Sequence, residues 1–421
     1  MLLNHHILAK KATDSVLAKF KTGEWSCCET YGKHFYRTGC SADFPSPDAA
    51  FADSESKIIV SFEFKPPTET KRGILTGLGQ SIAYLQFSDL SYLVIPEVVE
   101  DYNIASHVSD IFSKVITDSI PVGLISYKNN DPEEVYLAHN IKHLSKHEVN
   151  RHAISNGRFW AKHTDMPIPL FHLILHYAYL KKINNEKEDA FAKCWKEAMA
   201  PIAYIKKLDP QPLRDVRNEI IMTPAGNKPQ TYFEKRIKAI KVLPQSDQAA
   251  EIQKLIEDVN TNTSKDNMYN SIRKNCLPFM RHLGMLDSAY ELTSEGFKMY
   301  NLGMMDGPQS RIFRDYFTRM VLLDGHHIDL IYDLERLSCK YRGMKNETEI
   351  LSLMFDEYSS RGMIKTNPGR RVQKENAKPP THFKYELILW RSLGLMKKAP
   401  GEPAFAFDWQ RITEVCNLPS L

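Results

Sequence analysis

Hydrophobic residues in the first 130 positions alternate between a helical and a strand-like period. Residues 2–21 have the helical period, which predicts an amphipathic helix with an apolar face made of Leu2, Ala9, Ala12, Val16 and Phe20. Runs rich in β-branched and aromatic residues predict strands near 34–38, 49–53, 58–65, 91–96 and 121–127. Helical patterns lie between the later strands, at 73–87 and 102–116. This order predicts an α/β domain with a mixed sheet flanked by helices.

The second and third predicted strands are separated by a short polar segment, residues 54–57, which is typical of a β-hairpin. If those four residues form the loop, counting back along the ladder places Asp48 opposite Glu63. Directly paired residues point to the same face, with Cβ atoms roughly 5 Å apart. Lys65 lies two residues beyond Glu63 and therefore shares that face. The hairpin is expected to gather two carboxylates and a lysine at its open end.

Two carboxylates this close repel each other unless a cation lies between them, and oxygen ligands suit Mg²⁺. Lys65 beside such an ion could orient or deprotonate a water, or stabilise charge on a phosphate. Asp43 and Asp53 are the alternatives to Asp48 as the partner of Glu63. Asp53 points to the other face of the strand and Asp43 precedes the strand, so Asp48 is favoured.

The P-D pair that ends at Asp48 and the E-F-K triplet from Glu63 to Lys65 resemble the PD-(D/E)XK motif of type II restriction endonucleases and related nucleases. The resemblance implies Mg²⁺-dependent hydrolysis of DNA phosphodiester bonds. It also implies that Asp48 and Glu63 are metal ligands and that Lys65 activates the water. The predicted elements of residues 1–127 match the core of this nuclease fold in type and order.

The helix predicted after the hairpin carries Gln80 and Tyr84, which are four residues apart and so lie on one face. Gln-x-x-x-Tyr after an E-x-K strand is similar to a motif of recombination-type nucleases in the same superfamily. The resemblance implies that the two side chains orient the phosphate and the metal-bound water. An ordinary, half-exposed helix face remains the alternative. Gly77 and Gly79 each weaken a helix by roughly 1 kcal/mol, but they leave room for the close approach of a backbone or a phosphate.

Basic residues provide the candidates for DNA contact. Lys71 and Arg72, at the start of this helix, could bind phosphate or belong to a solvated loop. A basic segment near the C-terminus is the main candidate outside the catalytic region, and its cationic residues are Arg370, Arg371, Lys374 and Lys378. Phosphate contacts would position this segment, and arginine could also read guanine in the major groove.

Charge is distributed unevenly along the chain. Residues 1–150 carry 14 Lys and Arg against 19 Asp and Glu, a net charge of −5. The remaining residues have a net charge of +9, which gives +4 for the whole chain. The length of 421 residues predicts two or three domains. The charge division fits a metal site in one domain and a phosphate-binding surface in another.

From residue 167 onwards the pattern is mostly helical, and two stretches resemble winged-helix modules. In Met268–Met299 a helix ends in L-G-M-L and is followed by L-T-x-x-G, with Thr293 as the expected helix cap. In Tyr385–Trp409 a helix ends in L-G-L-M and is followed by a strand-like wing. We therefore expect three regions: a PD-(D/E)XK nuclease domain, a helical connector, and a winged-helix-like DNA-recognition region, at 1–150, 151–260 and 261–421. The stretch from 131 to 159 is predicted to be a basic, partly exposed connector.

The seven cysteines are scattered along the chain, which is typical of reduced thiols in a cytoplasmic protein. There is no run of about 18 apolar residues, so no membrane span is expected.

Together these features predict a Mg²⁺-dependent, sequence-specific endonuclease of the type II restriction kind that acts on double-stranded DNA. Cutting both strands requires two sites, so a homodimer is expected, at least transiently. A cognate DNA methyltransferase is expected in the same system. Two alternatives remain: a DNA repair or recombination nuclease, and a winged-helix DNA-binding regulator whose α/β domain has no catalytic role.

Overall fold

Strand-like and helix-like segments alternate in the computed structural model, which describes residues 2–39, 46–116, 119–128, 130–144, 149, 158–163, 166–199, 205–209, 232–260, 268–364, 382–397 and 403–419. The chain divides into two units, each assembled from separate stretches of sequence. The first unit combines Met1–Ala161, Arg319–Phe383 and Leu395–Leu418. The second combines Lys162–Thr318, Lys384–Gly394 and Pro419–Leu421.

The strands of the first 140 residues are mostly buried on both faces. In chain order they are β1 Phe35–Thr38, β2 Ala49–Asp53, β3 Ile59–Phe64, β4 Leu90–Pro96, β5 Val98–Val99, β6 Tyr102–Asn103, β7 Val122–Tyr127 and β8 Val135–His139. Among the described residues, six of them form one sheet in the order β1-β2-β3-β4-β7-β8. The pairs β3–β4 and β4–β7 are parallel and the other three are antiparallel. The α/β fold with a mixed sheet is therefore as expected.

Helices cover both faces of this sheet and make up most of the other residues that the structure describes. They are α1 Leu2–Thr22, α2 Lys71–Ala83, α3 Ile104–Lys114, α4 Ile168–Asn184, α5 Ala190–Cys194, α6 Tyr232–Lys241, α7 Gln245–Asn260, α8 Met268–His282, α9 Ser294–Asp306, α10 Arg311–Leu322, α11 His327–Lys340, α12 Glu347–Ser360, α13 Lys384–Ser392 and α14 Trp409–Cys416. No described helix combines the length and the apolar character that crossing a membrane requires.

The hairpin of β2 and β3 has the predicted register. Ala49 pairs with Phe62, so that the next position outward sets Asp48 opposite Glu63. At the closed end, Oδ1 of Asp53 accepts hydrogen bonds from the two backbone N–H groups two and three residues further on, at 2.9 and 2.8 Å. Asp53 therefore stabilises the turn and is not part of the cluster at the open end.

One face of the sheet packs against α2 and α3 through a fully apolar core that includes Ile74, Leu93, Val108 and Phe112. The opposite face packs against α1 through aromatic rings. Phe20 of α1 lies edge-to-face on Phe35, with ring centroids 5.4 Å apart. The apolar face predicted for α1 is thus the face that contacts the sheet.

The other side of α1 is also buried, because α11 and α14 of the same unit cover it. Lys10 forms ion pairs with Asp14 and, at 2.9 Å, with Asp333 of α11. Arg37 of β1 joins Asp14 at 3.3 Å to Asp329 of α11 at 3.1 Å. These five side chains, two cations and three carboxylates, are only 3–9% exposed, and Arg361 adds a third cation by pairing with Asp14 at 3.2 Å.

Two segments differ from expectation. The connector predicted from 131 to 159 begins with β8, a half-buried edge strand that pairs with β7 through an irregularity at Leu124 and Ile125. The helical pattern of residues 311–342 predicts one helix, but the structure has two, because the chain turns at His326, whose φ of +54° is left-handed. A helical pattern also predicts a helix at 211–222, and those residues lie outside the described ones.

The segment that follows α8 contains the predicted helix cap. Thr293 accepts a hydrogen bond from the N–H of Gly296 at 2.9 Å and so caps α9. Leu286 and Leu292 form an antiparallel bridge before it. A Cβ on Gly296 would lie 2.0 Å from the carbonyl oxygen of Met285, so glycine is required where the helix crosses this short ladder.

The segment near the C-terminus that was expected to be strand-like does form a short strand. It forms β10, Ala406–Phe407, which pairs with β9, Met396–Lys397. The N–H of Phe407 donates to Glu335 at 2.9 Å, and Trp409 donates to the same carboxylate. Glu335 thus fixes this two-stranded ladder to α11.

We predict that Lys10→Met lowers the free energy of unfolding by about 3–5 kcal/mol, because Asp14, Asp329 and Asp333 would be left with Arg37 as their fully buried counter-charge. Urea denaturation monitored by circular dichroism measures this. Lys11→Met is the matched control, since Lys11 pairs with Glu133 at the surface and should contribute less than about 1 kcal/mol. If the free energy of unfolding of Lys10→Met is within about 1 kcal/mol of the wild-type value, the ion pairs of Lys10 do not stabilise the fold as predicted.

Candidate active site

The open end of the β2–β3 hairpin brings Asp48 beside the N-terminus of α1. Nε2 of His5 donates to Oδ1 of Asp48 at 3.0 Å, and the ring of His5 lies edge-on against Phe64 at 5.6 Å. The other carboxylate oxygen accepts the backbone N–H of Phe64 at 2.7 Å. Both oxygens of Asp48 are therefore held, one by the helix and one by the neighbouring strand.

Glu63 is nearly fully buried on the adjacent strand, where two side chains contact it. Nζ of Lys65 lies 2.9 Å from Oε1. The hydroxyl of Tyr84 donates to Oε2, and also contacts the carbonyl of Ser46 at 3.1 Å. Tyr84 is fully buried, in a short 3₁₀ turn that continues α2. Its hydroxyl therefore joins α2 to the segment that precedes Asp48.

Lys65 is positioned from both ends. Its backbone carbonyl accepts the hydroxyl of Tyr127 at 2.8 Å, and its Nζ donates to Oε1 of Gln80 at 2.9 Å. Its stem lies against Gly77, where an added Cβ would come within 2.5 Å of Cε. Because Gly77 has no side chain, the stem of Lys65 can lie directly against α2. Gly79 faces outward, and no described atom lies within 4 Å of the position its Cβ would take.

The pKa values of the two carboxyl groups are shifted in opposite directions. Burial, and then the charge of Asp48, raise the pKa of Glu63 to about 7, although Lys65 and Tyr84 oppose the shift. Burial alone would raise the pKa of Asp48, but the hydrogen bonds from His5 and Phe64 outweigh it and hold the pKa below its usual value. Asp48 is therefore the ionised member of the pair at neutral pH, while Glu63 lies close to half protonation.

These donors fit a hard divalent cation in kind and number. Magnesium is usually held by one or two carboxylates, with water completing its shell. The described residues contain no group of three or more His, Cys, Asp or Glu side chains arranged to hold a metal. Asp48 and Glu63 are the two carboxyl groups that could hold such an ion, and a further positive charge beside them would favour the ionised form of Glu63.

The predicted DNA contacts are only partly described. Lys71 pairs with Glu100 at 3.4 Å and lies over the ring of Tyr102 at 5.2 Å, so its charge is already engaged at the surface. Arg72 is exposed in the first turn of α2. The four residues of the C-terminal basic segment lie outside the described residues, namely Arg370, Arg371, Lys374 and Lys378.

His5 is the site residue that the sequence pattern did not reveal. It lies 43 positions before its partner Asp48. The sequence feature that could have indicated His5 is the pair of adjacent histidines in the first turns of a helix that packs against the sheet. Without the hairpin geometry, that pair could not be assigned to Asp48.

Comparison with protein-family models gave no match, and no curated protein was found to be similar to the chain.

Two of the three glycines of α2, Gly77 and Gly79, give a matched pair of variants. Gly77→Ala should displace Lys65 from Glu63 and Gln80 and lower the free energy of unfolding. Gly79→Ala should raise it by about 0.5–1 kcal/mol, because alanine has the higher helix propensity and meets open space. Urea unfolding of the two variants measures the contrast. Equal effects at the two positions would contradict the close approach of Lys65.

The shifted pKa of Glu63 predicts a pH-dependent stability in metal-free buffer. A carboxyl group whose pKa rises from 4.5 to about 7 on folding binds more protons in the native state between these values. The contribution of protonated Glu63 to the free energy of unfolding is then complete below pH 4.5. It falls by up to about 1.4 kcal/mol per pH unit as the pH rises towards 7. Glu63→Gln should remove this loss and be more stable than wild type at pH 8.

Urea unfolding at pH 5 and pH 8 in the presence of EDTA tests this expectation. The exposed Glu414→Gln serves as the control and should follow wild type at both pH values. A Glu63→Gln protein that keeps the wild-type difference between the two pH values would assign the proton to another group.

Proposed function

We propose that the protein is a Mg²⁺-dependent, sequence-specific DNA endonuclease of the type II restriction kind, with a PD-(D/E)XK active site. The observation that carries the proposal is the arrangement at the hairpin. Asp48 and Glu63 occupy paired positions, and Lys65 lies 2.9 Å from Glu63. A buried carboxylate pair with one member near half protonation destabilises the metal-free fold, which is typical of a site built for a ligand.

Asp48 and Glu63 would hold the metal. When bound, Mg²⁺ supplies charge stabilisation at the phosphate and lowers the pKa of the attacking water. The described contacts of Lys65 use two of the three N–H donors of its ammonium group, for Glu63 and Gln80. The third can donate to a phosphate oxygen or orient the water. Gln80 positions Lys65, and Tyr84 positions Glu63.

His5 has a supporting role in this proposal. Its hydrogen bond and charge keep Asp48 ionised, which is the protonation state that a cation requires. The same bond fixes which oxygen of Asp48 faces the helix and which faces Phe64. The imidazole nitrogen is also a donor of the kind that some divalent metals accept.

DNA recognition is assigned to the basic sequence after residue 150, with winged-helix-like modules at 268–299 and 385–409. The capped helix α9 and the ladders at Leu286–Leu292 and β9–β10 support this reading. Double-stranded DNA would be the substrate, a second copy would supply the second cut, and a cognate methyltransferase would protect the host sequence.

A repair or recombination nuclease is the second candidate, and one observation favours it. Gln80 and Tyr84, the two residues of the Gln-x-x-x-Tyr resemblance, lie at the candidate site, where they contact Lys65 and Glu63. A non-catalytic α/β scaffold in a DNA-binding regulator is disfavoured, because a scaffold has no need to bury two carboxylates beside a lysine.

Digestion of a sequenced plasmid with Mg²⁺, and with EDTA as the blank, distinguishes the three candidates. Discrete bands with defined ends support the restriction reading, and progressive degradation supports the repair reading. DNA binding without cleavage would exclude both nucleases.

Lys65→Ala should retain DNA binding within about threefold but cut at least about 100-fold more slowly, because the donor beside Glu63 is lost. Gel-shift titration and a plasmid-cleavage time course measure the two quantities. Lys114→Ala, which removes a surface lysine paired with Asp110, is the control and should leave both unchanged. An unchanged rate in Lys65→Ala would refute the role of this lysine.

A further inference from the structure

Arg319 is a partly buried cation of the first unit whose donors are not used by the fold. It lies in the last turn of α10. Its Nε atom is fully buried and has no hydrogen-bond partner, and no hydrogen bond or ion pair among the described residues includes its guanidinium group. A buried N–H without an acceptor destabilises a native fold, so an orphaned donor of this kind is a candidate for binding a ligand.

The carboxylates on the side of α1 that faces α11 do not supply the missing acceptor. They are buried and already have cationic partners, and they are Asp14, Asp329 and Asp333. Lys10 and Arg37 provide the charges that pair with them. None of these ion pairs includes Arg319, so its positive charge is additional to that cluster.

His6 connects Arg319 to the candidate active site. The ring of His6 lies edge-to-face against the ring of His5, with centroids 5.8 Å apart, and His5 donates to Asp48. Burial lowers the pKa of His6 to about 4, and the charge of Asp48 opposes this shift. The positive charge of Arg319 adds to the shift, so His6 lies within electrostatic range of both groups.

The guanidinium group of Arg319 also lies near Cys416 of α14, the helix that packs against α1. Burial raises the pKa of the Cys416 thiol to about 12, and the charge of Arg319 opposes the shift. Arg319 therefore lies near an uncharged imidazole and an uncharged thiol, at the end of α1 that carries His5 to Asp48. Neither neighbour supplies a negative charge.

We propose that Arg319 and His6 form an anion site beside the carboxyl pair, and that this site binds a backbone phosphate of the DNA substrate. The planar guanidinium group can donate to two phosphate oxygens at once. A neutral imidazole offers one further N–H donor. The carboxylates of Asp48 and Glu63 repel a phosphate, and a cation beyond His6 would offset that repulsion as the DNA backbone approaches.

The inference rests on the proposed function for the identity of its ligand, because DNA supplies the phosphate. The anion site itself can be measured without metal and without catalysis. Failure of the nuclease and failure of the anion site are therefore separate results.

Titration with inorganic phosphate in EDTA, followed by phosphorus NMR, tests the anion site. Wild type should bind phosphate, and Arg319→Met should bind it at least about tenfold more weakly, because the guanidinium donors are lost. Arg319→Lys should be intermediate, since it keeps the charge but not the planar fork, and His6→Leu should weaken binding by about threefold. Arg342→Met replaces an exposed arginine of the same unit and is the matched control, with unchanged phosphate affinity.

Thermal melting separates ligand binding from a structural role. Because Nε of Arg319 has no partner in the fold, Arg319→Met should melt at or above the wild-type temperature in phosphate-free buffer. Added phosphate should raise the melting temperature of wild type but not that of the variant. A variant that melts well below wild type would assign Arg319 to the fold and overturn the proposal.

Binding of a short DNA duplex in EDTA identifies the source of the phosphate. Arg319→Met should lower the affinity by about tenfold, and it should reduce the slope of log affinity against log salt concentration by about one, because one phosphate contact is lost.

A wild-type protein that does not bind inorganic phosphate would refute the anion site, and so would an Arg319→Met protein that binds it equally well. If the variant loses inorganic phosphate but keeps the DNA affinity and the salt slope of wild type, the site binds free phosphate and the DNA contact is overturned. If both binding results are as expected but the protein does not cut DNA, the nuclease proposal fails and the anion site is supported.

Discussion

Burial of helix α1 on two sides is the constraint on which the first unit depends. Its apolar face meets the aromatic face of the sheet, and its polar face meets α11 through Lys10 and Asp14. Charges that are removed from water are tolerated only when they are paired, so the burial of α1 depends on Arg37, Asp329 and Asp333. Arg37 lies in β1, and Asp329 and Asp333 lie in α11, about 290–320 positions later in the chain. Helix α1 itself also carries His5 to Asp48. The integrity of the candidate site is therefore linked to residues that are far from it in sequence.

The site itself is an asymmetric pair of carboxyl groups. Two neighbouring carboxylates cannot both ionise in a buried place without a cation, and their surroundings decide which one keeps the proton. Asp48 receives hydrogen bonds from an imidazole and a backbone N–H, whereas Glu63 lies deeper and is approached by Lys65 and Tyr84. His5 offsets the charge of Asp48 and Lys65 that of Glu63, yet burial leaves Glu63 close to half protonation. A further positive charge beside the pair would favour the ionised form of Glu63.

The sequence predicted what depends on local pattern, and it failed where the determinant is remote. The hairpin register followed from the length of its polar loop, and the cap at Thr293 followed from L-T-x-x-G. The edge strand β8 was missed because only one of its positions is fully buried, so that its apolar period is weak. The contact of His5 with Asp48 was missed because nothing in a helical pattern states which loop its first turn will meet. The burial of Lys10 and Asp14 was missed for a related reason, since charged residues opposite an apolar face normally indicate solvent.

Glycines in α2 and α9 show most clearly what cannot be predicted from the sequence alone. In a sequence each of them simply weakens a helix by about 1 kcal/mol. In the structure, Gly77 admits Lys65, and Gly303 admits His172, whereas Gly79 touches no described atom. The contacts that the first two permit can offset the loss of helix propensity, and they also determine which side of each helix faces the protein. For α9 this orientation leaves Met304 and Met305 exposed. A glycine on one face of a helix thus determines which side chains the other face exposes.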